Sequence, residues 1–117
     1  MRFTLILDYT GMTYYGHIPN TPFPPDSRIE EFSFDIEEKD MDVFGEEFID
    51  PADKICAALI DFGDVEYLDT KKCVKLKLWL EEHLKKNNPE KFKPIYEKLL
   101  DFTSRAIGLK TGVVVEL

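Results

Sequence analysis

The sequence is poor in the residue types that most directly announce chemistry. It has two cysteines, Cys56 and Cys73, too few for a disulfide scaffold. It has two histidines, His17 and His83, and neither sits at a metal-binding or triad spacing. No Cys-x-x-Cys, His-Glu-x-x-His, glycine-rich phosphate loop or Gly-x-Ser-x-Gly occurs. Without a nucleophile–base constellation, the chain reads as non-enzymatic and without a cofactor. No apolar run approaches the roughly 20 residues that span a bilayer. The stretch from Met1 to Asp8 meets a charge too early for a secretory signal. The expectation is a cytoplasmic protein with reduced thiols and no membrane partner.

Basic residues are also scarce, with 15 Lys and Arg against 23 Asp and Glu and a net charge of −8. The deficit is concentrated between Asp26 and Asp69, where sixteen acids face only Arg28, Lys39 and Lys54, a local charge of −13. The first 25 residues are neutral and the last 48 carry +5. A pI near 4.7 argues against direct binding of nucleic acid, which needs clustered Lys and Arg, and favours a basic protein partner. The composition is 44% hydrophobic, with nine Phe, five Tyr and one Trp, too apolar for a disordered acidic tail. The acidity therefore belongs to a folded body, and 117 residues suit a single domain over 1–117.

Periodicity predicts an α+β fold: a small, mostly antiparallel sheet packed with about three helices. Arg2 to Asp8 alternates as a strand, with Ile6 implying that its second face is partly covered. Thr10-Gly11 is a turn signal, after which Met12 to Ile18 reads as the return strand of a hairpin, with Gly16 marking a bulge. Pro19, Pro22, Pro24 and Pro25 make the next segment a stiff extended connector. Ile29 to Glu38 alternates most clearly, with Phe32, Phe34 and Ile36 on one side and Glu31, Ser33, Asp35 and Glu37 on the other. Same-face residues of a strand are about 6.7 Å apart, a step comparable to that between phosphates of an extended nucleic-acid strand.

Lys39 to Asp50 reads as an acidic loop with apolar anchors. Asp40, Asp42 and Gly45 fit three positions of a calcium-binding loop, but Phe44 and Pro51 occupy positions that need oxygen ligands, so calcium is not expected. Asp50-Pro51 is a helix start, followed by an apolar stripe from Ala52 to Phe62 and a stop at Gly63. Asp64 to Leu68 is a short strand or a turn. Over residues 71–80 a strand-like alternation competes with a helical stripe; the Asp69 or Thr70 cap and the length favour a helix over Lys71 to Lys86. Asn88-Pro89 starts another helix, with Pro94 able to shift its first turn, ending at Gly108. Gly112 to Leu117 is a final strand expected to join the N-terminal sheet. Cys56 and Cys73 lie on apolar stripes and are expected in the core.

The acidic middle, the amphipathic helix after it and the segment Ala106-Ile107-Gly108-Leu109-Lys110-Thr111-Gly112-Val113-Val114-Val115 resemble the small acidic immunity proteins of bacterial toxin systems. The resemblance rests on size, charge and element order, and it implies a protein that blocks a basic nuclease toxin by covering its active site. From the charge pattern itself, the partner-binding candidates are Glu31, Asp35, Glu37, Glu38, Asp40, Asp42, Glu46 and Glu47, with Phe44 or Phe48 as an apolar anchor if exposed. The same physics suits a phage-encoded nucleic-acid mimic that inhibits a host defence nuclease such as a CRISPR effector. A third reading is a small carboxylate- or metal-dependent enzyme.

Overall fold

Strand β1 (Arg2–Ile6) lies inside the sheet, and its alternation serves two interiors at once. Phe3 and Leu5 enter the main core beneath the helices, while Ile6 joins a smaller cluster on the opposite face. The computed structural model describes residues 1–117 and shows an α+β fold with one four-stranded antiparallel sheet. Its order is β4 (Ile29–Ser33), β1, β6 (Val113–Glu116), β5 (Val65–Leu68). Phe3 stands opposite Phe32 on one side and Val115 on the other. The β-branched final strand thus joins the N-terminal sheet as expected, the segment left open between a strand and a turn is strand β5 paired with β6, and Ile29, Tyr67 and Val114 complete the smaller cluster.

The expected return strand over Met12 to Ile18 does not pair with β1. Both edges of β1 are already taken by β4 and β6. Instead β2 (Tyr14–Tyr15) and β3 (Ile18–Pro19) form a separate two-stranded hairpin. Gly16, at φ +62°, is the first central residue of its two-residue turn, so this glycine makes a hairpin rather than a bulge. Ile18, with Tyr9 and Met12, packs over the second face of the sheet. Tyr15 remains 81% exposed.

β4 stops at Ser33 rather than Glu38, because its pairing with β1 ends at Arg2 opposite Ser33 and a last bond from Phe34 N–H to the Met1 carbonyl. The chain stays non-helical to Glu37, with Ile36 buried and Phe34 packed 4.7 Å from Phe3.

The largest departure is the segment expected as an acidic loop. Residues 38–56 form one irregular helical run: a 3₁₀ turn (Glu38–Asp40), α1 (Met41–Phe44), a π-turn (Gly45–Ile49) and α2 (Asp50–Cys56). Met41, Phe44, Phe48, Ala52 and Cys56 recur every three or four residues and turn inward together. Pro51 has no N–H to give, and the π-turn just before it locally resets the hydrogen-bond ladder. The run ends at Ala57 in the left-handed conformation, φ +51°, well before Gly63. The Ala58 amide closes this turn on the Asp53 carbonyl at 3.1 Å, while the Asp53 carboxylate accepts from the Ile60 amide at 2.7 Å.

α3 (Thr70–His83) is a helix, capped by Asp69 Oδ1 accepting the Lys72 amide at 2.9 Å. α4 (Lys93–Leu109) begins later than Asn88-Pro89 and runs past Gly108 to a left-handed Lys110. Close packing at Gly112 is obligatory, since any Cβ there would collide with the Leu68 carbonyl and the Tyr67 ring. Cys56 and Cys73 are unpaired and buried; burial pushes the Cys56 thiol up to about 11 and the Cys73 thiol up to about 12, which keeps both protonated. No helix is long and apolar enough to cross a membrane.

Phe44 is 0% exposed and packs against Phe48, Phe62, Phe92 and Tyr96. Phe44→Ala is expected to cost about 3–5 kcal/mol in urea unfolding, the usual loss for a buried ring. Val43→Ala next to it, at 48% exposure, should stay within about 0.5 kcal/mol. Equal effects at the two positions would contradict the inward stripe.

Candidate functional site

The inward stripe determines what the same run shows to solvent. With Phe44, Phe48 and Ala52 in the core, Asp42, Glu46 and Asp50 stand outward at four-residue intervals along the run. Asp61 and Phe62, from the loop after α2, form the facing wall. Met41, Asp42, Gly45, Glu46, Ile49, Asp50, Asp61 and Phe62 together line a groove of about 290 Å³. Its apolar part is Met41, Ile49 and Phe62, and four carboxylates surround it. None of Asp42, Glu46, Asp50 or Asp61 has a Lys, Arg or His nitrogen within 4.0 Å, although twelve ion pairs occur elsewhere. Asp53 senses two of these acids, Asp50 and Asp61, though burial dominates its behaviour. Burial first pushes its carboxyl above the ordinary range; the Ile60 amide opposes this, and the charges of Glu66, Asp50 and Asp61 add to it.

The remaining sequence candidates do not share this surface. Arg2 reaches Glu31 at 3.4 Å and Glu116 at 2.6 Å, so Glu31 is neutralised within the chain. Lys91 holds Asp40 at 2.8 Å, and Lys39 lies 3.2 Å from Glu37 on the open surface. Glu38 is exposed and unpaired. Asp35 borders a different cleft, of about 560 Å³, which Arg2, Ser33, Asp64 and Glu116 also line. Phe44 and Phe48 are fully buried, so neither can anchor a partner; a helical stripe, not an exposed loop, governs them.

Glu47 also turns inward. It accepts a hydrogen bond from the Tyr96 hydroxyl at 3.1 Å and lies 3.1 Å from His83 Nε2. His83 stacks on Trp79 at 4.4 Å, and Phe48 lies 6.0 Å from the same indole. This clasp fastens the π-turn to α3 and α4. Burial, followed by the Glu47 charge, raises the Tyr96 hydroxyl well above its ordinary range, so it remains a donor. No group of three His, Cys, Asp or Glu side chains converges to hold a metal ion.

Sequence reasoning missed Asp50 and Asp61, although the four-residue spacing of Asp42, Glu46 and Asp50 was readable. It also missed Glu66, a buried carboxylate that accepts from the amides of Leu59 at 2.8 Å and Tyr67 at 2.9 Å and sits 2.6 Å from His17. Burial alone would raise the Glu66 carboxyl, but the bonds from His17, Leu59 and Tyr67 outweigh it and hold it below the ordinary 4.5. A depressed carboxylate favours the folded state above its unfolded value and loses that contribution as pH falls through the folded value. Stability should therefore decline below about pH 4.5, and Glu66→Gln should flatten that decline in urea midpoints taken across the acid range. An unchanged acid slope in the variant would remove Glu66 from this role.

In comparison with known proteins, no family model, no curated protein and no solved structure matches this chain.

Proposed function

We propose that the chain is a non-enzymatic, acidic protein-binding inhibitor of the immunity type. It lays the groove between the 38–56 run and the Asp61 loop on the basic nucleic-acid-binding or catalytic surface of a nuclease or toxin. The observation that carries this reading is the row Asp42, Glu46 and Asp50, faced by Asp61 and left without internal counter-charges. Carboxylates repeated every fourth residue on a firmly packed support suit a partner surface built to receive phosphates. The apolar groove residues can take the methylene stem of an inserted Arg or Lys while the carboxylates hold its head. Charges of this kind mainly accelerate encounter and select the partner.

Asp42, Glu46 and Asp50 are exposed and make no ion pair within the chain, so neutralising them removes no internal contact and should not harm the fold. The triple variant Asp42→Asn, Glu46→Gln, Asp50→Asn is expected to melt at or above the temperature of the parent. Immobilised parent protein should deplete a nuclease or toxin activity from bacterial lysate at about 50 mM salt and release it at about 500 mM, where the screening length falls to several Å. The triple variant should deplete none. Equal depletion by the variant, or depletion indifferent to salt, would overturn the proposal.

A further inference from the structure

The ladder register decides which backbone groups of β4 are already used. Phe34 N–H bonds to the Met1 carbonyl at 3.0 Å, and Leu7 N–H bonds to the Arg28 carbonyl at 2.8 Å. Hydrogen-bonded pairs alternate along an antiparallel ladder, so the bonded pairs between these two are Phe3 with Phe32 and Leu5 with Glu30. Ile29, Glu31 and Ser33 therefore turn their amides and carbonyls away from β1. The Ile29 amide is taken by the Asp26 carbonyl at 3.3 Å. No other strand lies beyond β4.

The opposite edge of the sheet is treated differently. Leu117 N–H bonds to the Asp64 carbonyl at 3.3 Å, which by the same parity turns Tyr67 outward on β5. The Tyr67 amide is satisfied there by the Glu66 carboxylate, whose second oxygen takes the Leu59 amide. β5 is thus closed at Tyr67 by its own neighbouring side chain and keeps only Val65 turned outward, while β4 is left open along both Glu31 and Ser33.

Beside the open edge, Glu31 and Ser33 and, past the end of the strand, Asp35 and Glu37 occupy every second position, the last three exposed; Arg2 lies 3.4 Å from Glu31 and Lys39 3.2 Å from Glu37, which leaves Asp35 as the carboxylate without an internal cation. We propose that this edge accepts an extended, cationic segment of the partner protein as an added strand, an inference that rests on the reading of the partner as basic. Cross-strand neighbours stand about 5 Å apart, so alternate Lys or Arg residues on an incoming strand would meet the unpaired Asp35 and compete with Arg2 for Glu31 and with the exposed Lys39 for Glu37. A second copy of the chain does not fit. Antiparallel pairing of two such edges would set carboxylates against carboxylates, the arrangement by which charged edges resist self-association.

The test uses the full ¹⁵N-labelled chain at low salt and a nine-residue peptide alternating Lys and Val, with an alternating Glu and Val peptide as control. Amide hydrogen exchange at Glu31 and Ser33 should slow at least tenfold with the lysine peptide and remain unchanged with the control. Two variants carry the same question. Ser33→Pro removes an outward N–H without touching a bond to β1, and Asp35→Lys with Glu37→Lys reverses two exposed charges. Either should weaken peptide binding at least tenfold, and the second keeps the test valid if the proline variant fails to fold. Unslowed exchange at Glu31 and Ser33 overturns the added strand, and so does undiminished peptide binding by the lysine variant. If protection then falls only on Asp42, Glu46 and Asp50, the inhibitor reading survives; its own failure would show in the lysate depletion instead.

Discussion

The acidic groove depends on one constraint: Met41, Phe44, Phe48, Ala52 and Cys56 must all reach the same interior from a single helical run. A helix that buries one stripe has no choice about the opposite one. Once Phe44 meets Phe92 and Tyr96, Asp42 and Glu46 are committed to solvent. The π-turn adjusts the phase so that Phe48 and Ile49 are both buried before Pro51. Glu47 is drawn in by the same turn and is compensated by Tyr96 and His83. Hydrophobic burial thus supplies the energy, and the placement of the carboxylates follows from geometry.

The rest of the acidity is handled inside the molecule. Arg105 grips Glu30 with two bonds of 2.8 Å, fastening β4 to α4, and this holds the Glu30 carboxyl below its ordinary range. Arg2 gathers Glu31 and Glu116 at the end of the sheet. The cations of these clamps come from β1 and α4, outside the acidic middle. A local charge of −13 is therefore not a uniform surface. Part of it is internal cross-bracing, and a smaller part, around the groove, is left unbalanced.

Elements whose pattern was unopposed were legible in the sequence. β1 and β6 alternate or are β-branched, and the stripe Ile95, Tyr96, Leu99 and Phe102 defines α4; in α3 a strand-like alternation did compete, and the Asp69 cap and the length decided for the helix. Asp50-Pro51 did mark α2, but the helical turns before it, residues 38–49, were not legible, because that dipeptide reads as the start of a helix and Gly45 and the dense charge imitate a loop. The stripe of Met41, Phe44, Phe48 and Ala52 was present but competed with those local signals, and tertiary packing decided between them. The hairpin error had another cause: Tyr14 to Pro19 carries its own turn, and no local rule shows that β4 and β6, distant in sequence, already occupy both sides of β1. The split of the candidate carboxylates could not be read either, since ion pairs such as Asp40 with Lys91 join residues far apart in the chain.

Trp79 is the only tryptophan, and it is wedged between His83 and Phe48, the two residues that connect α3 to the π-turn. Its indole emission is consequently a built-in optical gauge of how the acidic run is seated. Any displacement of that run alters the stacking around one chromophore, so the molecule needs no attached dye to reveal it.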